Sequence, residues 1–363
     1  MSRKQPLVLM MAGGTGGHVY PALAVAQELQ ARGYRVEWVG TSRGLEQRVV
    51  PGAGIKLHHL LVRGVRGKGV ADRLLGVLLL AAASLQALWL VIRRWPACVV
   101  GMGGYVAGPA GVAAWLLRRP LLIHEQNAVA GTTNRMLAPL ANTIVAGFPG
   151  AFKTDIDYLV LGNPVRAELV QAGAGATYDY DGQRSLRLLV LGGSLGAKPL
   201  NDAVPEAVDT LLAHGANLEV WHQTGEAHAD VVAQAYGAGV EQVRVVPFIE
   251  DMAAAYVWAD VVICRAGALT VAELAIMGRP AILIPLPHAI DDHQTANAHS
   301  LADCGGAILM RQAEMSAGSF VKALRAYIEY PERLCAMATA CKAAATPDAA
   351  IRVTDCCEGL LNA

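Results

Sequence analysis

Short, continuous apolar runs alternate along the chain with longer stretches that have the spacing of helices. The runs cover residues 7–11, 36–39, 97–100, 121–123, 143–146, 186–191, 218–221, 243–246, 261–264 and 281–284. An apolar run without alternation is typical of a strand buried on both faces, as in a parallel sheet covered by helices. The pattern therefore predicts an α/β fold, with a first helix at 22–31 and Pro21 near its first turn.

The pattern starts again near residue 160, after a turn at Gly162-Asn163-Pro164. A strand that runs into glycines occurs in both halves, as LVLMMAGGTGG and as LLVLGGSLGA, and a Gly/Ala/Asp-rich loop at 172–182 precedes the second. A chain of 363 residues is long enough for two domains of about 150 residues each. The sequence therefore predicts two Rossmann-like halves, each with a parallel sheet.

The segment 74–92 is apolar enough to allow three interpretations. Its length would just span a bilayer, but the first half needs a crossover helix here, and a span would divide one sheet between two sides of a membrane. A buried helix and an interfacial helix both remain open. The preceding residues 63–73 carry four basic side chains and one acid, which favours the interfacial alternative because basic residues attract anionic lipid.

Charge and composition exclude some classes of function. Acidic and basic residues balance at 30 each, which gives no reason to expect nucleic-acid binding. The seven cysteines have neither metal-ligand spacing nor a disulfide framework, so reduced thiols in a cytoplasmic protein are expected. The apolar run after MSRKQP is too short for a signal-peptide core. An apolar fraction of 54% nevertheless suggests membrane contact.

The first candidate site is the loop GGTGGH at 13–18, between the first strand and the first helix. Glycines let a ligand approach the backbone and the helix N-terminus supplies free N–H groups, so the loop is predicted to bind phosphate. His18 is a candidate general base, because histidine exchanges protons near neutral pH; a helix cap and a phosphate ligand are the alternatives. A dinucleotide site would need an acid near the end of the second strand; Glu37 is close to that place but lies within the apparent strand, which ends at Gly40. The Gly-Lys-Ser/Thr ending of a P-loop is missing.

Two more segments follow neighbouring strands of the first half. GMGGY at 101–105 and HEQN at 124–127 each come directly after an apolar run. Because parallel strands end at the same edge of a sheet, these segments are expected to line one cleft with the first glycine loop. A plain turn and a set of loop contacts are the alternatives.

In the second half, the glycines at 192–193 and the segment CRAGALT at 264–270 follow apolar runs and lead into helices. Glu273 lies one turn into the second of these helices, where a carboxylate can accept hydrogen bonds from a ribose diol. Thr270 and Glu273 can also form a capping box, which would not exclude ligand contact.

No metal site is expected. The polar cluster at 288–297 lacks a ligand spacing typical of a metal centre. The Asp-x-Asp triplets at 155–157 and 179–181 are interpreted as solvated charge.

Six motifs occur in a fixed order along nearly the whole chain. They are GGTGGH at 13–18, GMGGYVAGP at 101–109, HEQN at 124–127, NPVR at 163–166, GGSLGA at 192–197 and CRAGALTVAE at 264–273. Together they resemble the MurG family, bacterial transferases that move N-acetylglucosamine from UDP-N-acetylglucosamine to lipid I and so form lipid II of peptidoglycan. The resemblance implies the GT-B fold, in which two Rossmann-like domains face each other across a cleft.

The resemblance also implies a role for each part of the chain. Residues 1–162 would form the acceptor and membrane-associating domain, 163–340 the UDP-sugar domain, and 341–363 a helix that returns to the first domain. His18 is similar to the family's proposed general base. The residues implied to contact UDP-N-acetylglucosamine are Thr15, Gly16, Gly17, Asn127, Arg166, Ser194, Ile249, Ala268, Leu269, Thr270, Val271, Ala272, Glu273 and Gln294. Those implied to contact the acceptor are Gly13, Gly14, Gly103, Gly104, Tyr105, His124 and Glu125.

The expected mechanism is a single inverting displacement. The muramyl 4-hydroxyl would attack the anomeric carbon and form a β-1,4 bond while His18 takes the hydroxyl proton. Fixed N–H groups would stabilise the charge on the departing UDP, so no cofactor or metal is expected in the chemical step. Domain closure about a hinge near 162–164 would exclude water.

The expected location is the cytoplasmic face of the plasma membrane, as a peripheral protein. Residues 63–94 would meet anionic phospholipid, nucleic acid would not bind, and other cell-wall and division proteins would be further partners. Leu195 and Ala266 depart from the glutamine and serine usual in the family. The alternatives are another UDP-sugar-dependent glycolipid transferase, a UDP-sugar epimerase and an NAD-dependent dehydrogenase.

Overall fold

The computed structural model describes residues 5–62, 70–193, 195–237 and 241–362. The chain divides into two compact units, of which unit 1 comprises 1–166 and 347–363 and unit 2 comprises 167–346. The boundaries expected from the sequence, after 162 and after 340, lie a few residues earlier.

Unit 1 is built on a seven-stranded parallel sheet with the strand order β3-β2-β1-β4-β5-β6-β7. Its elements up to residue 160 are β1 (Leu7–Met11), α1 (Gly16–Ala31), β2 (Arg35–Gly40), α2 (Glu46–Gly52), β3 (Lys56–His59), α3 (Val70–Arg94), β4 (Cys98–Gly101), α4 (Ala107–Leu116), β5 (Leu121–Glu125), α5 (Thr132–Leu137), β6 (Thr143–Ala146) and β7 (Leu159–Val160). This is the Rossmann order, with β1 and β4 adjacent at the point where the strand order reverses.

Unit 2 contains a six-stranded parallel sheet with the order β10-β9-β8-β11-β12-β13. Its elements are α6 (Ala167–Gly175), β8 (Leu186–Leu191), α7 (Lys198–Ala213), β9 (Leu218–Gln223), α8 (Ala229–Ala235), β10 (Val243–Val246), α9 (Met252–Trp258), β11 (Val261–Cys264), α10 (Ala268–Met277), β12 (Ala281–Leu283), α11 (His293–Ala302), β13 (Ala307–Leu309), α12 (Ala317–Glu329) and α13 (Glu332–Ala343). The expected pair of Rossmann-like sheets is therefore confirmed.

Alternate residues of the first strand face two different hydrophobic layers. Val8 and Met10 join the layer under α1, whereas Leu9 and Met11 join the layer under α3 and α4. Successive strand residues point to opposite faces, so a strand covered on both sides is apolar at every position. This is the physical reason why the unbroken apolar runs predicted the sheet correctly.

The last helix, α14 (Ala349–Asn362), packs in unit 1. Val353 and Cys357 enter the hydrophobic layer under α1, and Arg32, the residue after the last one of α1, forms ion pairs with Asp355 and Glu358. The preceding helix, α13, belongs to unit 2.

Some sequence expectations need correction. The first helix begins at Gly16 rather than at 22, so Pro21 lies inside it and cannot donate the N–H bond that would reach the carbonyl of Gly17. The expected loop at 172–182 begins as helix, because α6 continues to Gly175. Three short strands, β3, β7 and β13, lie outside the predicted runs.

The described part of α3 has one buried side and one exposed side, and both are apolar. Ala83, Ala87 and Leu90 are buried, whereas Leu85 and Trp89 are more than half exposed. The segment is therefore a crossover helix that is buried on one side only. Among the described residues, no helix combines the length and apolar character needed to cross a membrane. The basic residues expected at 63–69 lie outside the described residues.

Candidate active site

The two glycine loops of unit 1 touch each other at the carboxyl ends of β1 and β4. A Cβ atom on Gly103 would lie 2.8 Å from Nδ1 of His18, and one on Gly104 would lie 2.6 Å from the carbonyl oxygen of Gly13. Both Gly103 and Gly104 have positive φ angles, of 92° and 81°. Only glycine combines that backbone conformation with so close an approach. The structure thus brings His18 and the two loops together, as expected from the sequence.

A chain of hydrogen bonds runs from His18 into the interior of unit 1. Nδ1 of His18 lies 2.8 Å from Oε1 of Gln126, and Nε2 of Gln126 lies 3.0 Å from Nδ1 of His124. Nε2 of His124 lies 3.0 Å from the carbonyl oxygen of Gly162. Gln126 and His124 are both buried, and burial lowers the pKa of His124 to about 4. Gln126 was not among the predicted site residues, although it lies in the HEQN motif.

The carboxylate of Glu125 is buried, and residues of the loop that follows it donate hydrogen bonds to both of its oxygens. It accepts hydrogen bonds from the main-chain N–H groups of Asn127 and Gly131, at 2.9 and 3.0 Å, and from the side chain of Asn134 at 2.8 Å. Glu125 therefore shapes the loop that carries Asn127. Direct acceptor contacts of His124 and Glu125 stay predictions, and both side chains are buried here. Tyr105, by contrast, is exposed.

A second buried carboxylate, Glu46, holds the first glycine loop. One oxygen of Glu46 accepts a hydrogen bond of 3.0 Å from the N–H of Gly14, and the other accepts two bonds of 2.8 Å from the N–H and hydroxyl of Thr41. The carbonyl of Gly14 in turn accepts from the N–H of Leu45 at 3.3 Å. Gly14 thus has both backbone groups engaged within the protein, and Glu46 holds this part of the loop in place.

The carboxylate of Glu37, which a dinucleotide site would need, is bound by side chains of unit 1. Arg94 at the end of α3 donates to Glu37 through two nitrogens, one at 2.7 Å, and Nε2 of His58 lies 2.7 Å from the same carboxylate. Burial, with a smaller effect of Lys56, lowers the pKa of His58. Glu37 therefore attaches α3 to the sheet, and the dehydrogenase alternative loses the residue on which it depended.

In unit 2, the predicted donor residues follow the carboxyl ends of β10 and β11. Ile249 is buried in the loop after β10, and Ala268–Glu273 form the first part of α10. Gly267 is the N-cap residue of α10, so Thr270 and Glu273 both lie inside the helix and the predicted capping box is wrong. Glu273 is buried and accepts a 3.0 Å hydrogen bond from the hydroxyl of Tyr256.

The glycine loop after β8 rests on a buried polar network. A Cβ atom on Gly196 would lie 2.1 Å from the carbonyl oxygen of Thr224, which also accepts a 3.0 Å bond from Nδ2 of Asn201. Oδ1 of Asn201 lies 3.1 Å from Nε2 of His222, whose Nδ1 lies 2.8 Å from the hydroxyl of Tyr236. Burial lowers the pKa of His222 to about 3. The imidazole is therefore a neutral support of the loop.

Gln294 lies in the first turn of α11, after two residues with left-handed backbone. Its Oε1 accepts a 3.0 Å hydrogen bond from the N–H of Leu286. Asp291 and Asp292 have φ angles of 54° and 50°, a conformation that costs energy in residues other than glycine. Within the described ranges, no group of three or more His, Cys, Asp or Glu side chains is arranged to hold a metal ion.

Four further positions singled out in the sequence are Arg166, Ser194, Leu195 and Ala266. Ser194 lies outside the described residues. Arg166 belongs to unit 1, where its guanidinium carbon lies 4.8 Å from the centre of the Tyr20 ring. Of the two departures from the family motifs, Leu195 is 88% exposed in its loop and Ala266 is completely buried.

The comparisons with known proteins cover both units. Residues 8–146 match the model of the glycosyltransferase family 28 N-terminal domain, and residues 187–353 match the model of the C-terminal domain of the same family.

The chain is also similar to individual proteins along almost its full length. It is 51% identical over 350 residues to a UDP-N-acetylglucosamine–N-acetylmuramyl-(pentapeptide) pyrophosphoryl-undecaprenol N-acetylglucosamine transferase of Stutzerimonas stutzeri (strain A1501), covering 96% of this chain and 97% of the relative. It is 40% identical to the crystal structure of Acinetobacter baumannii MurG, with a TM-score of 0.82 and coverage of 98% and 99%. The chain belongs to the MurG family.

The GT-B fold of this MurG-family chain is shared with enzymes of other chemistry. A putative UDP-N-acetylglucosamine 2-epimerase from Listeria monocytogenes superposes with a TM-score of 0.70 at 15% identity, over 98% of this chain and 96% of the epimerase. At that identity the likeness concerns the fold alone. Membership of the MurG family therefore rests on the relatives of higher identity.

Proposed function

We propose that this chain transfers N-acetylglucosamine from UDP-N-acetylglucosamine to the muramyl 4-hydroxyl of lipid I, giving lipid II with a β-1,4 bond. The observation that carries the proposal is 51% identity over 96% of the chain to a transferase named for that reaction. The site supports it, because His18, at the end of the first glycine loop, lies against the second one at the topological switch point of a Rossmann sheet, where ligands bind.

His18 is proposed to act as the general base. Its Nδ1 is bound by Gln126, so the other ring nitrogen, Nε2, is the atom that meets the acceptor hydroxyl. As the hydroxyl oxygen attacks the anomeric carbon, the bond from that carbon to the UDP oxygen breaks. The hydroxyl proton passes to Nε2 of His18, and UDP departs with the bonding electron pair. General base catalysis of this kind is worth about 10²–10⁴ in rate.

The departing diphosphate is proposed to be stabilised by main-chain N–H groups of unit 2. The helix α10 starts at Ala268 without a side-chain cap, which leaves N–H groups and the positive end of the helix dipole for an anion. Fixed donors of this kind stabilise a developing charge without reorganisation. The chemical step is therefore proposed to need no cofactor and no metal.

The decisive experiment measures UDP release from UDP-N-acetylglucosamine with and without a lipid I analogue in detergent. Release that depends on the acceptor, together with formation of the disaccharide lipid, would establish donor, acceptor and reaction class. Donor binding without acceptor-dependent release would leave the UDP-sugar site in place and overturn the assignment to lipid I. Activity that persists at full rate in EDTA would support the metal-free step.

The protein is further proposed to bind the cytoplasmic face of the plasma membrane peripherally. α3 and α4 contact each other, and both expose large apolar side chains. This α3–α4 apolar surface consists of Leu78, Leu85, Trp89, Ile92, Trp115 and Leu116. Between residues 76 and 120 the chain has four arginines and no acid. Arg93 lies 5.3 Å from the ring centre of Trp89, a pairing suited to an interface between apolar and charged layers.

Co-sedimentation with lipid vesicles tests this membrane contact. The protein is expected to sediment with phosphatidylglycerol-containing vesicles more than with purely zwitterionic ones, and less in high salt. The double variant Leu85→Ser/Trp89→Ser should lose most of the binding. Val231→Ser removes an apolar side chain of similar exposure from unit 2 and should bind as the wild type does. Equal binding by both variants would contradict the assignment of the surface.

A further inference from the structure

Two main-chain carbonyl oxygens, those of Gly162 and His124, determine where the hydrogens lie in the hydrogen-bond chain from His18. The carbonyl oxygen of Gly162 carries no hydrogen and can only accept, so Nε2 of His124, 3.0 Å away, must be the donor. Because His124 is buried and its pKa is lowered to about 4, the ring is neutral at physiological pH. A neutral imidazole has one N–H, so Nδ1 of His124 must accept.

The orientation of the Gln126 amide follows from a second carbonyl. Its nitrogen, Nε2, lies 3.0 Å from the accepting Nδ1 of His124 and 3.2 Å from the main-chain oxygen of His124. Both partners are acceptors, so the NH₂ group of Gln126 must face them. The oxygen of the amide then faces Nδ1 of His18 at 2.8 Å. An amide oxygen can only accept, and therefore Nδ1 of His18 must carry the hydrogen.

The backbone around Gln126 keeps the amide in place. Gln126 is only 1% exposed, and Nδ2 of Asn163 donates a 3.0 Å hydrogen bond to the main-chain carbonyl oxygen of Gln126. Nδ2 of Asn134 donates to the main-chain oxygen of His124 at 3.1 Å. The main chain on both sides is thus held in place, and the side-chain amide of Gln126 is bound to His124. None of these contacts involves His18.

We propose that Gln126 and His124 are positioning residues that hold His18 in the Nδ1–H tautomer and so direct the lone pair of Nε2 toward the acceptor hydroxyl. The proposal rests on the transferase function and on the role of His18 as its base. The logic is that of a catalytic triad, in which a third group selects the tautomer and orientation of the base. Here the orienting group is a neutral amide.

The neutral amide has a consequence for the course of the proton. When the hydroxyl proton reaches Nε2, His18 becomes an imidazolium whose Nδ1–H still donates to Gln126. The amide oxygen does not take that proton, so the positive charge stays on His18 until the proton passes to solvent. A carboxylate at position 126 would instead stabilise the imidazolium, so that more of His18 would already carry a second proton before the reaction and could not accept one from the hydroxyl near neutral pH.

The tautomer is measured directly by long-range ¹H–¹⁵N correlation spectra of the full chain labelled in its histidines, without substrate, at pH 8.5. The signals of His18 are assigned by their absence in His18→Gln. We expect a protonated Nδ1 and an unprotonated Nε2 in the wild type. In Gln126→Met, which keeps the length of the side chain but loses the amide, the Nε2–H form should become the major one. A wild-type His18 with its hydrogen on Nε2 would overturn the proposal.

Kinetics provide the second readout. For Gln126→Met, kcat should fall by about 10²-fold while KM for UDP-N-acetylglucosamine stays within about twofold, because only the base is disturbed. For Gln126→Glu, the acidic limb of the kcat/KM profile should move to higher pH. A kcat for Gln126→Met within about threefold of the wild type would also overturn the proposal.

Asn142→Ala is the matched control, because its side-chain oxygen accepts a 2.9 Å bond from Leu121 at the other end of β5, the strand that carries His124. This control should lower the melting temperature and leave both the tautomer and the pH profile unchanged. Since the spectra need no substrate, a failed tautomer prediction is distinct from a failure to transfer sugar to lipid I. If Gln126→Met does not fold, the proposal is tested by the tautomer of His18 in the wild type and by the kcat/KM profile of Gln126→Glu against pH.

Discussion

The N–H of Gly14 donates a 3.0 Å hydrogen bond to the completely buried carboxylate of Glu46. This bond connects the first glycine loop to the start of α2, and the second oxygen of Glu46 is engaged by Thr41. A buried carboxylate is stable here because backbone and hydroxyl donors surround it. Glu46 thus determines the shape of a loop that it does not itself belong to.

Replacing Glu46 with glutamine should therefore damage the acceptor side of the site. The amide keeps one acceptor oxygen but turns an NH₂ group toward an N–H or a hydroxyl, and an unpaired buried donor costs about 1–3 kcal/mol. We expect kcat/KM for a lipid I analogue to fall about tenfold, with KM for the UDP-sugar little changed. Steady-state kinetics with both substrates measure this. Glu28→Gln, on the surface of α1, is the control, and equal losses in both variants would contradict the role of Glu46.

Gly103→Ala should lower kcat by displacing His18. The new Cβ would lie 2.8 Å from Nδ1 of His18, so the ring must move, and small displacements of a catalytic group can cost about 10²-fold in rate. The matched control is Gly33→Ala, which has a similar positive φ of 86° but no atom within 4 Å of the place its new Cβ would occupy. Both variants should lose about 1 kcal/mol of stability. If Gly33→Ala impairs turnover as strongly, backbone strain rather than contact with His18 is responsible.

The sequence predicted the sheets and the glycine loops well because both depend on local rules. Buried parallel strands are apolar at every position, and loops that need positive φ need glycine. The strand β3 was missed because it lies partly exposed at the sheet edge and has only one apolar residue, Leu57, among its four. The start of α1 was misplaced because Pro21 suggested a first turn, although it lies inside the helix.

The partners of the candidate site residues were not predictable in the same way. Gln126 belongs to a motif that was identified, but its bond to His18 joins positions 108 residues apart. Glu46, Asn201 and Tyr256 lie in helices with no motif of their own, and their hydrogen bonds depend on how the chain folds back. A buried polar side chain needs a hydrogen-bond partner, but the sequence alone does not identify that partner.

Tyr256→Phe should weaken donor binding and leave the chemical step intact. The hydroxyl of Tyr256 donates to Glu273, the residue expected to hold the ribose, and a hydrogen bond to a charged group is worth about 1.5–3 kcal/mol. We expect KM for UDP-N-acetylglucosamine to rise by about tenfold with kcat within twofold.

Tyr327→Phe is the control for the loss of a buried hydroxyl. Its hydroxyl is buried in unit 2 with no hydrogen-bond partner among the described residues. This variant should keep the wild-type KM. A normal KM in Tyr256→Phe as well would mean that Glu273 holds its position without the tyrosine.

The stability of unit 2 should fall as the pH is lowered, because His222 is buried in a neutral state. Its pKa is about 3 in the folded protein and about 6.5 in an unfolded chain. Between these values the unfolded state binds a proton that the folded state excludes, so acid favours unfolding. The loss begins near pH 6.5, increases down to about pH 3 and amounts to a few kcal/mol. His124, with a pKa lowered to about 4, adds a loss of the same sign in unit 1.

Urea unfolding at pH 8, 6 and 5 measures this slope. His222→Gln removes the titrating ring and should flatten the dependence of unit 2 stability on pH. Tyr236→Phe removes only the hydrogen-bond partner of His222 at Nδ1, so it should lower stability at every pH and keep the acid slope. A slope that is unchanged in His222→Gln would show that other groups cause the acid sensitivity. A slope that is flattened in His222→Gln alone would assign the acid sensitivity to the neutral imidazole that supports the glycine loop after β8.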